Sequence, residues 1–313
     1  MELTLSQINE LTVGALAVTQ DPSGIHFLRI TPFQKQTYSS ILDKWGPRCD
    51  YTSGIRLDLH TDATDFAVTV SSPGKYEVLL DSKSAYFKEM QAEETLAISL
   101  DGRDHRITLL LPFLAPGSLR SVHLSGETYI RPHTYGKKVA FYGDSITQGS
   151  TAIQGSNTYF WRVTQHFDLH SMNFGIGGIR FQPECLEDVG YDPDLVIVSL
   201  GTNNFGSNRP MELLQTNCPA YFDRMLELYP GKKIVCITPI WRADGETPKN
   251  LGTIHDARRV ITEEAQKRDL IIVDGWDLVP HRTELYEDLR LHPNDEGFAY
   301  YAENLIQALT PHL

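Results

Sequence analysis

Four short blocks combine residue types able to cleave an acyl ester: Gly143-Asp144-Ser145-Ile146, Gly177-Gly178, Gly201-Thr202-Asn203 and His292-Pro293. Acyl transfer to water needs a nucleophile, a base that takes its proton, and donors that hold the negative charge developing on the carbonyl oxygen. Ser145 supplies a hydroxyl, His292 an imidazole, the Gly178 N–H and the Asn203 carboxamide two donors. The chemistry to expect is that of a serine esterase, provided the fold gathers residues nearly 150 positions apart.

Each block taken alone has a structural reading too. Asp144 and Ser145 suit the cap of a helix, where their side chains satisfy free N–H groups, although a serine there also sits where negative charge is stabilised. The run Asn173-Phe174-Gly175-Ile176-Gly177-Gly178 fits a strand-to-helix turn. Its spacing is wrong for a dinucleotide fingerprint, since Phe181 stands where a further glycine is needed. Asn203 can be an ordinary turn residue, or a neutral donor aimed at an oxyanion. His292 is one of 11 histidines. It stands out because its loop follows the last predicted strand and returns to the edge that carries Ser145, with Pro293 suited to the first position of the final helix.

The elements that must position these residues fall into two patterns. From about residue 25 to residue 131, apolar side chains recur at every second position, as in Ile55, Leu57, Leu59 and in Phe66, Val68, Val70. Tyr76, Val78, Leu80, then Leu96, Ile98, Leu100, then Ile107, Leu109, Leu111 continue the series. That is the period of half-buried strands, and turn residues such as Ser72-Pro73-Gly74 and Asp101-Gly102 separate them. No convincing helix interrupts the pattern, which predicts an all-β sandwich of jelly-roll type over residues 1–131.

After Arg131 the pattern changes. Short apolar strands are predicted at 139–142, 171–174, 195–200, 234–237 and 271–273, with helical stripes over 211–229, 254–265 and 298–309 between and after them. Alternation of this kind gives a parallel sheet covered on both faces, so residues 137–313 read as one three-layer α/β domain. Each chemistry-bearing block then lies after a strand or before a helix, at the sheet edge where open α/β folds bind ligands.

Composition narrows the partners. With 313 residues and 41% hydrophobic content, two domains are expected. A formal net charge of −12 disfavours nucleic acid and anionic membrane surfaces, leaving a small-molecule or oligosaccharide ester as the expected substrate. The four cysteines, Cys49, Cys185, Cys218 and Cys236, show no metal-ligand spacing and read as buried thiols. No basic leader or membrane-length apolar run is visible, so a cytoplasmic location is expected.

In this order and register, the four blocks resemble the SGNH (GDSL-type) hydrolase superfamily, named for its serine, glycine, asparagine and histidine, over roughly residues 137–313. The resemblance implies a flavodoxin-like SGNH fold with Ser145 as nucleophile and His292 as base. It implies an oxyanion hole made by the N–H groups of Ser145 and Gly178 and the Asn203 side chain, with no metal or cofactor. A β-sandwich before such a domain is similar to two-domain carbohydrate esterases that remove acetyl groups from polysaccharides. Family members usually carry an aspartate three residues before the histidine, and here that position is Leu289. Either Asp288 reaches the imidazole through an irregular loop, which is the preferred reading, or a main-chain carbonyl orients the ring. Asn204 and Arg180 also stand where acidic residues are common.

The resulting expectation is a short-chain, acetyl-type esterase acting on an acetylated carbohydrate through an acyl-serine. A lipase or thioesterase for longer chains is the alternative, and a degraded glycan-binding protein a third reading. Trp241, in Thr238-Pro239-Ile240-Trp241, offers an indole that could stack on a sugar or simply pack. The sandwich could wall the site, bind carbohydrate, serve as a packing partner, or form the surface of a homo-oligomer.

Overall fold

Alternating apolar positions in the first 132 residues form two antiparallel sheets in the computed structural model, which describes all residues Met1–Leu313. The strands are β1 (Thr12–Val13), β2 (Ala17–Asp21), β3 (Gly24–Leu28), β4 (Arg56–Thr61), β5 (Asp65–Val70), β6 (Gly74–Leu80), β7 (Lys83–Met90), β8 (Thr95–Ser99), β9 (His105–Leu110), β10 (Ser118–Ser125) and β11 (Ile130–Pro132). One sheet runs β1-β4-β9-β6-β7, with β11 also on β4, and the other β2-β3-β10-β5-β8. Leu57, Leu59, Phe66, Val68, Val78 and Leu109 point between them into a shared core. Strand β7 escapes the alternation pattern because only Met90 at its end is buried, so no burial imposes a period of two.

Helices interrupt the strands, contrary to the helix-free reading of this segment. They are α1 (Leu5–Leu11), α2 (Pro32–Ile41) and α3 (Trp45–Cys49). The start of α2 is written locally: Thr31 and Gln34 form a reciprocal capping box around Pro32. Its apolar stripe is weak, with only Gln34 and Tyr38 buried, which is why periodicity misses it.

The C-terminal part places parallel strands β12 (Lys137–Gly143), β13 (Leu169–Asn173), β14 (Leu195–Ser199), β15 (Lys233–Ile237) and β16 (Ile271–Val273) in the order β13-β12-β14-β15-β16. The helices are α4 (Ser145–Gln148), α5 (Tyr159–His166), α6 (Thr202–Gly206), α7 (Met211–Leu228), α8 (Ile254–Gln266) and α9 (Asp295–Leu309). Successive residues of β12 serve opposite faces. Val139 and Phe141 join the core of α5 and α9, while Ala140 and Tyr142 join that of α7 and α8. Burial on both faces explains the unbroken apolar runs. No helix is long and apolar enough to cross a membrane.

Buried arginines link the two parts. Arg29 Nη1 donates to the carbonyls of Asn173 (2.7 Å) and Gly175 (2.8 Å), and Arg56 Nη2 to that of Leu169 (2.8 Å). Gln34 Nε2 donates to the Cys185 carbonyl, and Tyr38, Trp45 and Cys49 complete the core beneath α7. Helices α2 and α3 therefore belong to the packing of the α/β sheet although they lie among the strands of the sandwich. The four cysteines are buried and unpaired.

Candidate active site

Strand β12 is flanked by β13 and β14, so the chain leaves it in opposite directions and a crevice opens at its carboxyl end. Ser145 begins α4 at that point, with the Asp144 side chain capping the turn through the Ile146 N–H (3.0 Å). Ser145 Oγ lies 2.9 Å from His292 Nε2. His292 Nδ1 lies 2.8 Å from Asp288 Oδ2, so hydroxyl, imidazole and carboxylate form one hydrogen-bonded chain.

The loop that delivers His292 is irregular in a specific way. Leu289 adopts φ +53°, a left-handed conformation unusual for a leucine, and its N–H donates to the Tyr286 carbonyl (2.9 Å). This turn takes up the extra residue between aspartate and histidine. Asp288 Oδ1 then accepts the N–H groups of Arg290 (3.1 Å), Leu291 (2.7 Å) and His292 (3.0 Å). Burial alone raises the Asp288 carboxyl, but the Leu291 N–H and the imidazole outweigh it and hold it at about 2, so it is ionised throughout the neutral range. Pro293 is not the first helical residue. Asn294 caps α9, accepting the Gly297 N–H (3.0 Å), because its carboxamide can do what a proline ring cannot.

Gly178 and Asn203 reach the same crevice from the ends of β13 and β14. Gly178 has φ +87°, and a Cβ there would stand 3.1 Å from Arg48 Nη1 and 3.3 Å from Trp45 Nε1, so glycine suits both the backbone and the space. Its N–H donates to no protein acceptor. Asn203 Nδ2 donates to Asp144 Oδ2 (3.2 Å) and to the Ile179 carbonyl (3.1 Å), which orients the carboxamide while occupying its hydrogens. A substrate oxygen would share or displace one of these two bonds. Asp144 is 3% exposed, and burial, only partly offset by the Ile146 N–H, pushes its carboxyl up to about 6.

Arg48, Tyr51 and Leu114 close the opposite side of the cleft containing Ser145, Gly178, Asn203 and His292. Sequence reasoning missed these three, because they carry no motif and reach the site only through tertiary packing, Arg48 and Tyr51 from α3 and the turn after it and Leu114 from the loop between β9 and β10. Gln148 was missed as well. Its Oε1 accepts the Gly177 N–H (2.8 Å) and fixes the glycine turn. Trp241 does not line this cleft. Its ring stacks on His281 (centroids 5.6 Å apart, planes 11°) and packs against Tyr286. No three His, Cys, Asp or Glu side chains converge as metal ligands.

Residues 141–300, about half of the chain, match the family model described as GDSL-like Lipase/Acylhydrolase family. No curated protein matches the sequence. Among solved structures, the salicylyl-acyltransferase SsfX3 from a tetracycline biosynthetic pathway is 23% identical with a TM-score of 0.87, over 99% of this chain and 97% of its own. A family two carbohydrate esterase from Cellvibrio japonicus is 14% identical with a TM-score of 0.71, over 99% and 97%. An acetyl xylan esterase from the rumen bacterium Butyrivibrio proteoclasticus is 12% identical with a TM-score of 0.68, over 99% and 98%. At these identities the likeness is one of fold, and it extends through the N-terminal sheets.

Proposed function

The chain belongs to the GDSL-like Lipase/Acylhydrolase family and is a carboxylic ester hydrolase, and from that premise we propose that it removes short acyl groups, acetyl above all, from a hydroxylated substrate of carbohydrate type through an acyl-Ser145 intermediate. The observation that carries this reading is the continuous path from Ser145 Oγ through His292 to Asp288, with contacts of 2.9 and 2.8 Å.

In the proposed reaction His292 Nε2 takes the Ser145 proton as Oγ bonds to the acyl carbon and the carbonyl π pair moves onto oxygen. The N–H groups of Ser145 and Gly178 and the Asn203 carboxamide stabilise that oxyanion. As the C–O bond to the alcohol breaks, the alcohol leaves with the proton held by His292. Water, deprotonated by the same nitrogen, then attacks the acyl carbon, the bond to Oγ breaks, Ser145 takes back the proton from His292, and the acid is released. The Asp288 carboxylate holds the ring in one orientation and stabilises it while it is positively charged.

The preference for short acyl groups is supported by the lining of the cleft, where Tyr51 and Leu114 are the only apolar side chains. A long-chain lipase needs an extended apolar wall. An acetylated carbohydrate is supported by fold likeness to carbohydrate esterases, including an acetyl xylan esterase. Likeness to an acyltransferase favours a second outcome for the same acyl-enzyme, delivery to an added alcohol in place of water. We divide the chain into units 1–131 and 137–313 and read the first as a jelly roll. The way β3, β4, β5, β6 and then β7, β8, β9, β10 distribute between the two sheets supports that connectivity.

The test is a panel: aryl esters from acetate to octanoate, acetylated sugars, and aryl acetate with added alcohol. Fastest turnover of acetates is expected. A rate that rises with chain length would replace this reading with that of a lipase.

A further inference from the structure

Two arginines stand at the cleft and beside its glycine turn with no carboxylate hydrogen-bonded to them. Arg48 lines it, and its Nη1 donates to the Gly177 carbonyl while its Nε and Nη2 have no protein acceptor. Arg180, two residues beyond Gly178, holds its guanidinium 4.9 Å from the centroid of the buried Trp45 ring. Trp45 Nε1 is itself buried without a hydrogen-bond partner, on the side facing Gly178. Burial and then repulsion from Arg209 depress the Arg180 guanidinium, against the pull of Glu184, whose side chain accepts from Gln182.

This concentration of positive charge runs against the rest of the molecule. The net charge is −12, and most other arginines are held in ion pairs, for example Arg106 with Asp58, Arg242 with Asp244 and Arg268 with Asp223. Guanidinium forks match the planar oxygens of carboxylates and phosphates, and a half-enclosed cleft focuses their field on a bound anion. The stacking of Arg180 on Trp45 fixes one fork beside the glycine turn. A neutral ester would leave both charges unused.

We propose that the ester taken by this cleft carries a carboxylate or phosphate group, gripped by Arg48 and drawn in by Arg180. The inference rests on the esterase reading above and narrows its substrate to acidic esters, such as an acylated acidic sugar or a half-ester of a dicarboxylic acid.

Two matched pairs test it. 3-Acetoxybenzoate against 3-acetoxybenzamide places the charge on the alcohol, and phenyl hydrogen succinate against phenyl butyrate places it on the acyl group. The anionic member of at least one pair is expected to show kcat/KM tenfold or more above its partner. That ratio should fall toward one in Arg48→Gln and Arg180→Gln, and with rising salt. Because Arg48 also braces Gly177, only the ratio within a pair is read, and the half-exposed Arg180 gives a second variant should Arg48→Gln misfold. A ratio at or below one in both pairs, or a preference untouched in both variants, overturns the proposal. Calorimetric binding of the amide analogues of the same pairs separates the two readings: anion-selective binding without turnover of any ester removes the esterase reading and keeps this one, whereas equal binding removes this one.

Discussion

Asp288 holds His292 at two points at once, its Oδ1 accepting the histidine's backbone N–H at 3.0 Å and its Oδ2 facing Nδ1 at 2.8 Å. The carboxylate thus sets both the path of the loop and the plane of the ring, four residues away instead of the usual three. Structure and charge are coupled in one side chain, and they can be separated experimentally.

Asp288→Asn is expected to lower kcat on an aryl acetate by roughly 10³–10⁴-fold, because the ring loses its charged partner and its fixed tautomer. The carboxyl, ordinarily near 3.8, is held at about 2 in the folded chain. A depressed carboxylate contributes stability above its unfolded value and loses it as pH falls from 3.8 through about 2. Thermal midpoints measured against pH should show this acid-side loss in the parent chain and not at this site in the variant.

Ser145→Ala should abolish hydrolysis while leaving the thermal midpoint within a degree or two, since the hydroxyl lines the cleft and its one side-chain partner is the half-buried His292. A serine-directed phosphonate should label the parent at Ser145 and fail to label the variant. Substantial residual turnover by the alanine protein would remove Ser145 from the mechanism.

Asn203→Ala is expected to cost about 10²–10³ in kcat with a smaller change in KM, the pattern of a donor used mainly in the transition state. Its anchor Asp144 allows an independent check. Burial raises that carboxyl from 3.8 to about 6, so the folded chain binds its proton more tightly than the unfolded chain does. Stability from this group therefore declines as pH rises from 3.8 to about 6 and is level above. Asp144→Asn should remove that slope and lower kcat, because a carboxamide has one acceptor oxygen for the two donors, the Ile146 N–H and Asn203 Nδ2, that the carboxyl group now serves. Chemical denaturation between pH 4 and pH 7 would reveal it.

Leu289→Asn tests the irregular turn. Leucine at φ +53° is strained by about 1–2 kcal/mol, and asparagine tolerates that region better. The leucine side chain is 64% exposed, so little packing is lost. The variant should keep its activity and unfold at the same temperature or a few degrees higher. A sharp loss of activity would mean that Leu289 touches substrate.

Much of this arrangement is legible before any coordinates. The apolar runs of β12 to β16 and the stripes of α7, α8 and α9 are local, and the period of each follows from which faces are buried. The blocks around Ser145, Gly178 and Asn203 follow β12, β13 and β14, where small or capping residues suit the turns, and His292 lies just before α9. Helix α2 carried its own cap signal in Thr31 and Gln34, and was hidden by a buried stripe of just two residues. Trp241 was open between a sugar and plain packing, since a position after a strand does not say which way a ring turns, and its ring packs on His281 and Tyr286.

By itself the sequence determined which residues could do chemistry and which secondary elements carry them, since both depend on neighbours a few positions away. Tertiary structure alone decided that Leu289 turns left-handed so that Asp288 meets His292, and that Arg48 reaches across 129 positions to the Gly177 carbonyl. The physical reason is that spacing along a chain constrains distance in space only within a turn or a hairpin. Beyond that, the packing of α2 and α3 against the sheet chose the neighbours.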